Sequence, residues 1–229
     1  MTDTKEKSLF HFAALSYAKR GIPVFPLFPN GSTNAVRWDL DATTNQDQIN
    51  KWWTKNSAYN IGIGTGEKYG IVVIVFRTPE AWAYGHEMGL PVTPIAKIGK
   101  EHHVYCRYQQ DINCSLMRTD LPGIVIVGND RNIIVPPSVV VQNPHTRFEI
   151  ADRYSWVDCK GLDDLELADV PEWLLERTQV EDEPIIDTRT VAEEDYIDIG
   201  AIQPVSFVIE ADMLDPEVVE VQTLTHSKT

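Results

Sequence analysis

The spacing of apolar residues along the chain predicts four helices. Apolar residues recur at helical intervals after Ser8, whose hydroxyl is suited to cap a helix N-terminus, and Gly21 ends this first pattern. A second helix is predicted over residues 43–55. A third covers residues 78–88, where a proline occupies an early helical position. A short helix at residues 170–175 closes the patterned part of the chain.

Between the helices the pattern changes to that of β-strands. The segment Gly70–Arg77 reads G-I-V-V-I-V-F-R, a continuous β-branched run after a turn signal, and it predicts a buried central strand. Residues 22–27 are predicted to form an edge strand, because their two prolines cannot donate to a ladder on both sides. Further strands are predicted at residues 60–66, 94–98, 103–107, 124–127, 132–135 and 147–150.

Charge divides the chain into two parts. The 229 residues carry a net charge of −14. Residues 181–229 hold 13 acidic and 2 basic side chains, a net charge of −11, which leaves only −3 for residues 1–180. We therefore predict a folded domain at residues 1–178 and an acidic tail at residues 179–229, which is either flexible or binds a partner. Strong non-specific binding to DNA is not expected of a chain with this charge.

Cysteine content and hydropathy bear on the compartment. The three cysteines are scattered and form no C-x-x-C pair, so neither a disulfide framework nor a cysteine metal site is expected. No apolar run reaches the roughly 20 residues needed to cross a bilayer. These features predict a cytoplasmic protein that does not contact a membrane.

Five segments of the predicted domain form an ordered set of motifs. They read A-A-L-S-Y-A-K-R-G-I-P-V-F-P-L (13–27), D-A-T-T-N-Q-D-Q-I-N-K-W-W (41–53), N-I-G-I-G-T-G (60–66), H-V-Y (103–105) and V-P-P-S (135–138). Together they resemble the N-terminal domain of bifunctional DNA primase/polymerases, the prim-pol branch of the archaeo-eukaryotic primases. The resemblance covers residues 10 to about 176. It implies an α+β fold with central mixed or antiparallel sheets flanked by helices, and an origin in a plasmid, phage or integrated element.

The resemblance also implies two-metal nucleotidyl transfer, in which acidic side chains bind the metal ions. In the family two such residues lie at positions i and i+2 of the central strand, and a third lies on a neighbouring strand. These positions correspond to Val75, Arg77 and Val125 in this chain. We therefore expect no catalytic residues, no metal site and no cofactor, with Mg²⁺ or Mn²⁺ relevant only to residual polymerase activity. A buried Arg77 is expected to need an anionic partner.

A second family motif faces the phosphates of the incoming nucleotide. In this chain it reads G-K-E-H-H-V-Y over Gly99–Tyr105, so that His103 matches the family histidine while Lys100 and Glu101 replace small residues. The interpretation that His103 and Tyr105 serve only the folded core stays open beside nucleotide binding. The candidate nucleotide-binding residues are Arg77, Lys100, His103 and Ser138.

These features predict a degenerate primase/polymerase-fold protein with an accessory or interaction role in DNA replication or in a mobile element. The expected partner is a helicase, an initiator or another replication protein, bound through residues 181–229. Two alternatives remain. One is a module that binds nucleotide or single-stranded DNA weakly through Arg77, Lys100 and His103. The other is an active primase/polymerase with relocated metal ligands.

Overall fold

The structure, a computed structural model, describes most of the predicted domain. The described residues are 8–29, 34–110, 112, 116–119, 121–142, 149–176 and 178–179. The acidic segment 181–229 lies outside them. The helices are α1 (Leu9–Lys19), α2 (Trp38–Asp41), α3 (Gln46–Lys55), α4 (Pro79–Glu87) and α5 (Glu172–Leu175). The strands are β1 (Val24–Leu27), β2 (Asn60–Thr65), β3 (Ile71–Phe76), β4 (Ile95–Ile98), β5 (Glu101–Arg107), β6 (Leu116–Thr119), β7 (Ile124–Val127), β8 (Arg131–Val135), β9 (Val139–Gln142), β10 (Glu149–Arg153), β11 (Ser155–Trp156) and β12 (Thr178–Gln179).

Side-chain caps begin the three longer helices; the sequence predicted the cap at Ser8, and the helix predicted from residue 43 begins at Gln46. The Ser8 hydroxyl accepts a hydrogen bond from the His11 amide at 3.3 Å and starts α1. The Asn45 side chain caps α3 and the Thr78 side chain caps α4 in the same way. After α1, Gly21 adopts a φ of +81°, a left-handed conformation that glycine takes without strain.

The largest sheet has seven strands in the order β11-β4-β5-β3-β7-β6-β12, and β3 is the fourth strand from either edge. All its named pairs are antiparallel. Every residue of β3 is buried. The prediction of a buried central strand is confirmed, and the strand begins at Ile71 and ends at Phe76, one residue inside each predicted boundary.

A smaller sheet has the order β1-β2-β8, and its strands are also antiparallel. The prediction that residues 22–27 form an edge strand is confirmed over Val24–Leu27, because β1 ends the strand order and meets only isolated bridges, to Asn34 and Thr43, on its other side among the described residues. A two-stranded ribbon of β9 and β10 follows. The sheets and their flanking helices confirm the α+β class. Strands β6, β9, β11 and β12 were not predicted from the sequence.

The alternating side chains of β3 supply two separate apolar cores. Ile71, Val73 and Val75 join residues of α1, α3 and the smaller sheet in one core. The intervening residues, Val72, Ile74 and Phe76, join residues of α4 and α5 in the other. The larger sheet is therefore covered on both faces, which explains why the β3 sequence is apolar throughout.

The length and apolar character of the helices bear on whether the chain could cross a membrane. Among the described residues no helix has the length and apolar character needed to cross a bilayer. The longest described helix, α1, has 11 residues.

Candidate functional site

Three residues at the centre of the larger sheet form a row across adjacent strands. Val75 on β3 lies opposite His103 on β5 and, on its other side, opposite Val125 on β7. Directly opposed residues of antiparallel strands place their side chains on the same face. The two valines and the histidine therefore share the face that packs toward α1, α3 and the smaller sheet.

This row is closed to solvent. Val75 is 6 %, Val125 8 % and His103 4 % exposed, and both valines belong to the first apolar core. The positions that the resemblance assigns to metal-binding carboxylates on β3 and β7 are thus neighbours in space. Valine side chains occupy them and fill the space between the strands.

The sequence predicted that Arg77 is buried, and this prediction was wrong. The side chain of Arg77 is exposed. The reason is that β3 ends at Phe76, and Arg77 keeps only one further backbone bond, from its amide to the Gly123 carbonyl at 2.8 Å. An exposed guanidinium keeps its hydration and needs no buried anionic partner. Within the described part of the chain Arg77 forms no ion pair.

His103 is the buried titratable group of the site. Its Nε2 lies 3.6 Å from Glu101 Oε2, close enough for an ion pair but beyond hydrogen-bond length. Neither ring nitrogen has a hydrogen-bond partner among the described residues. Burial lowers the pKa of His103 below its ordinary value, Glu101 opposes this effect, and the positive charge of Arg77 adds to it. At neutral pH the His103 ring is therefore uncharged.

Lys100 and Ser138 lie apart from the row. Lys100 is exposed in the turn between β4 and β5, where its charge helps to lower the pKa of Glu80 after the larger effects of that residue's own backbone amide and of Thr78. Ser138 is fully buried, and its hydroxyl accepts a hydrogen bond from the Ile61 amide at 2.9 Å. This bond ties the segment after β8 to β2. Of the four predicted nucleotide-binding residues, Ser138 is thus bonded to the smaller sheet, while Arg77 acts electrostatically on His103.

The residues at the row do not fit a pair of divalent metal ions. Mg²⁺ requires several oxygen ligands, mostly carboxylates. Val75 and Val125 offer none, and Arg77 carries a positive charge. Among the described residues no group of three or more His, Cys, Asp or Glu is arranged to hold a metal ion.

Buried or half-buried tyrosines lie near the apolar row, and the sequence analysis named Tyr105 as a possible core residue but missed Tyr17 and Tyr154. The Tyr154 ring lies 5.8 Å from the His103 ring, and burial raises the pKa of Tyr154 to about 12. The Tyr17 hydroxyl donates to the Pro136 carbonyl at 2.6 Å. The Tyr105 hydroxyl is buried and has no partner among the described residues. The burial of Tyr105 agrees with the interpretation that the H-V-Y motif serves the core, whereas Tyr17 and Tyr154 come from segments far from His103 in sequence, so that motif could not reveal them.

The glycine-rich turn after β2 has a structural role. The Gly66 amide donates to the Ile71 carbonyl at 2.6 Å, and the Glu67 amide donates to Asn129 Oδ1 at 2.8 Å. Gly66 has a φ of +96°, and a Cβ there would lie 2.5 Å from the Asn129 Cα. Because these two amides are already bonded within the chain, they are not available to bind a phosphate.

Comparison with known proteins gives one match. The family model described as bifunctional DNA primase/polymerase, N-terminal, matches residues 14–173. No curated protein matches the chain. The matched range includes the second half of α1, strands β1 to β11 and the Val75–Val125–His103 row.

Proposed function

The chain belongs to the bifunctional DNA primase/polymerase N-terminal family, and from this premise we propose that it is a non-catalytic member. In this proposal it serves the replication or maintenance of a plasmid, phage or integrated element as an accessory protein that binds other proteins, and it works in the cytoplasm. The observation that carries the proposal is the pairing of Val75 with Val125 at the centre of the sheet, beside the cationic Arg77.

Metal-dependent transfer needs negative charge at this point of the sheet. Two metal ions must neutralise the triphosphate and orient the attacking hydroxyl, and they are themselves held by carboxylates. In this chain the central pair is apolar and buried to more than nine-tenths. A single lost ligand could be replaced by a neighbour. Here all three carboxylates are absent, and Arg77, just after the strand, places a positive charge at one of their positions. Val75 and Val125 therefore offer no ligand to either ion.

Primer extension and de novo synthesis test this proposal directly. The full chain is incubated with template, labelled deoxynucleotides and either Mg²⁺ or Mn²⁺, beside an active family member as positive control. We expect no incorporation above the protein-free background with either metal. Metal-dependent incorporation that is lost in the His103→Ala variant would refute the proposal. It would favour instead an active enzyme with relocated metal ligands.

A second candidate function is metal-free binding of a nucleotide or of single-stranded DNA. The observation in its favour is that Arg77 is exposed two residues after Val75, which lies opposite His103, and that neither ring nitrogen of His103 is hydrogen-bonded within the described residues. Arg77 would contact phosphate, His103 would supply a ring nitrogen as donor, and Lys100 would add charge from the neighbouring turn.

Titration calorimetry in the presence of a chelator tests this second function. Deoxynucleoside triphosphates and an oligothymidylate are titrated into the full chain, into Arg77→Gln and into Lys51→Gln, a matched loss of one exposed positive charge on α3. We expect weak binding that Arg77→Gln reduces and Lys51→Gln leaves unchanged. Absence of binding to every ligand would exclude the candidate.

The proposed partner is a helicase, an initiator or another replication protein that contacts residues 181–229. The support is compositional, since this segment carries a net charge of −11 and a basic surface would complement it. Co-purification from cells that carry the element would compare the full chain with a chain ending at residue 180. Equal recovery of the partner with both chains would refute the role of the tail.

A further inference from the structure

A cavity lies beside the N-terminal end of β3, the end of the strand farther from Val75. It has a volume of about 250 Å³. Its walls include two aromatic rings, three carboxylates and one ammonium group. We call it the acidic cavity, and these lining residues are Trp38, Tyr69, Asp39, Glu67, Asp130 and Lys68.

The smaller sheet, α2 and the turns that precede β3 and β8 build the aromatic wall. Tyr69 lies flat over Gly64 of β2, where an added Cβ would come within 2.2 Å of the Tyr69 ring. The Trp38 ring, from α2, lies 6.3 Å from the Tyr69 ring. Asn129, which accepts the Glu67 amide hydrogen bond, holds the turn before β3 against the loop that carries Asp130. The wall is therefore fixed by packing and by backbone bonds.

Cations of the chain itself already bind at this wall. The Lys68 ammonium lies 5.1 Å from the centre of the Tyr69 ring and donates to the Asp39 carbonyl at 2.8 Å. Arg37 pairs with the Asp39 carboxylate at 3.3 Å. Within the described part of the chain Glu67 and Asp130 form no ion pair. Two carboxylates at the cavity thus remain outside any ion pair of the described residues.

We infer that the acidic cavity binds the side chain of an arginine presented by a partner protein. Its size suits one side chain, because drug-sized ligands occupy pockets of roughly 300–1,000 Å³. A guanidinium is planar, stacks on aromatic rings and bonds carboxylates through two parallel N–H groups, whereas an ammonium is a compact point charge. Nucleotides and other anions are disfavoured by the excess of carboxylates.

The inference goes beyond the proposed function and is independent of it. The lining residues Glu67 to Tyr69 precede β3, whereas Val75 lies near its far end, and each strand residue advances roughly 3.3 Å. The cavity is therefore well separated from the row where the family keeps its carboxylates. Primer extension does not report on the cavity, so the two proposals fail separately.

The test is an NMR titration of the full ¹⁵N-labelled chain with Nα-acetyl-arginine amide. The reporter is the indole N–H resonance of Trp38, identified by its loss in Trp38→Phe. Parallel titrations use the blocked amides of citrulline, which has the same shape without charge, and of lysine. A titration with free arginine is also run. It distinguishes a cavity that binds an arginine side chain of a protein from one that binds the free amino acid.

Two charge-matched double variants complete the design. Glu67→Gln/Asp130→Asn removes the two cavity carboxylates that form no ion pair within the described residues. Asp130 has a φ of +53°, a conformation that asparagine also adopts, so this variant is expected to fold. Glu166→Gln/Glu176→Gln removes two exposed carboxylates outside the cavity and keeps the acidic tail unchanged.

We expect a saturable shift with blocked arginine. The affinity should be about tenfold weaker for blocked citrulline and for the Glu67→Gln/Asp130→Asn variant, and it should be unchanged for Glu166→Gln/Glu176→Gln. Equal affinity for arginine and citrulline, equal loss in both double variants, or no saturable shift would overturn the inference. Free arginine binding about tenfold tighter than the blocked form would overturn the assignment to a partner protein.

Discussion

The two ends of β3 differ in what surrounds them. At its C-terminal end Val75 lies between Val125 and His103 in a closed, apolar row, and a lone arginine follows the strand. At its N-terminal end the preceding turn carries Glu67 and Lys68 beside an open cavity. One strand therefore joins a region sealed by packing to a region that keeps charged groups at the surface.

The two ends differ in where carboxylates lie, and the total number of acidic residues does not reveal this difference. The chain has 34 acidic residues, yet none stands at the three central positions where the family binds metal. Valines at two of those positions, 75 and 125, contribute to the core, since each buried methylene contributes about 0.8 kcal/mol. At the other end, Gly64 leaves room for the Tyr69 ring beside the cavity. The apolar row and the charged cavity are thus separated along β3.

The largest expected effect comes from placing a carboxylate in the apolar row. Val75→Asp buries an unpaired charge or forces its protonation, and we expect it to lower the free energy of unfolding by about 3 kcal/mol. Urea denaturation measures the change. Val92→Asp is the control, because Val92 is 83 % exposed and should change stability by less than about 0.5 kcal/mol. Similar stabilities for the two variants would mean that the row is open to water.

The second-largest effect is expected from a substitution in the aromatic wall at the other end of β3. Gly64→Ala places a methyl group 2.2 Å from the Tyr69 ring, so the ring must move, and we expect a loss of about 2 kcal/mol. Urea denaturation of Gly64→Ala, Tyr69→Ala and the double variant gives the coupling energy. The double variant should be more stable than the sum of the single losses predicts. Additive losses would show that the ring does not rest on Gly64.

Two tyrosines beside the apolar row offer a smaller, matched comparison. Tyr17 donates a hydrogen bond to Pro136, whereas the buried Tyr105 hydroxyl has no partner among the described residues. We expect Tyr17→Phe to lower the free energy of unfolding by about 1 kcal/mol, and Tyr105→Phe to leave it unchanged or to raise it. Thermal and urea unfolding would measure both. An equal loss in Tyr105→Phe would indicate a buried water bonded to its hydroxyl.

The elements that the sequence predicted well depend on local signals. The caps at Ser8, Asn45 and Thr78 act within three residues, and the apolar run of β3 needs burial on both faces wherever it lies. The edge position of β1 follows from Pro26 within the strand and Pro23 just before it. Such signals do not depend on distant partners, which is why they could be interpreted without the structure.

The remaining features depend on contacts between distant segments. Strands β11 and β12 have two residues each and are defined only by their pairing with β4 and β6. Arg77 is exposed because β3 ends at Phe76. The apolar residues that precede Arg77 do not indicate where the strand ends. The acidic cavity combines residues of three separated segments, so no single motif marks it.

The smallest expected effect concerns pH at the apolar row. The pKa of His103 in the folded chain lies below its ordinary value of 6.5, chiefly because of burial. Below that value the unfolded chain takes up a proton that the folded chain still excludes, so stability is lost as the pH falls from about 7 toward the folded pKa.

His103→Gln should lose less stability over this range in urea denaturation at stepped pH. Glu101→Gln should make the loss steeper, because Glu101 raises the His103 pKa, and Arg77→Gln should make it shallower. Parallel profiles for His103→Gln and the unaltered chain would mean that His103 is solvated, and the contrast between the two ends of β3 would then be smaller than the burial of Val75 and Val125 indicates.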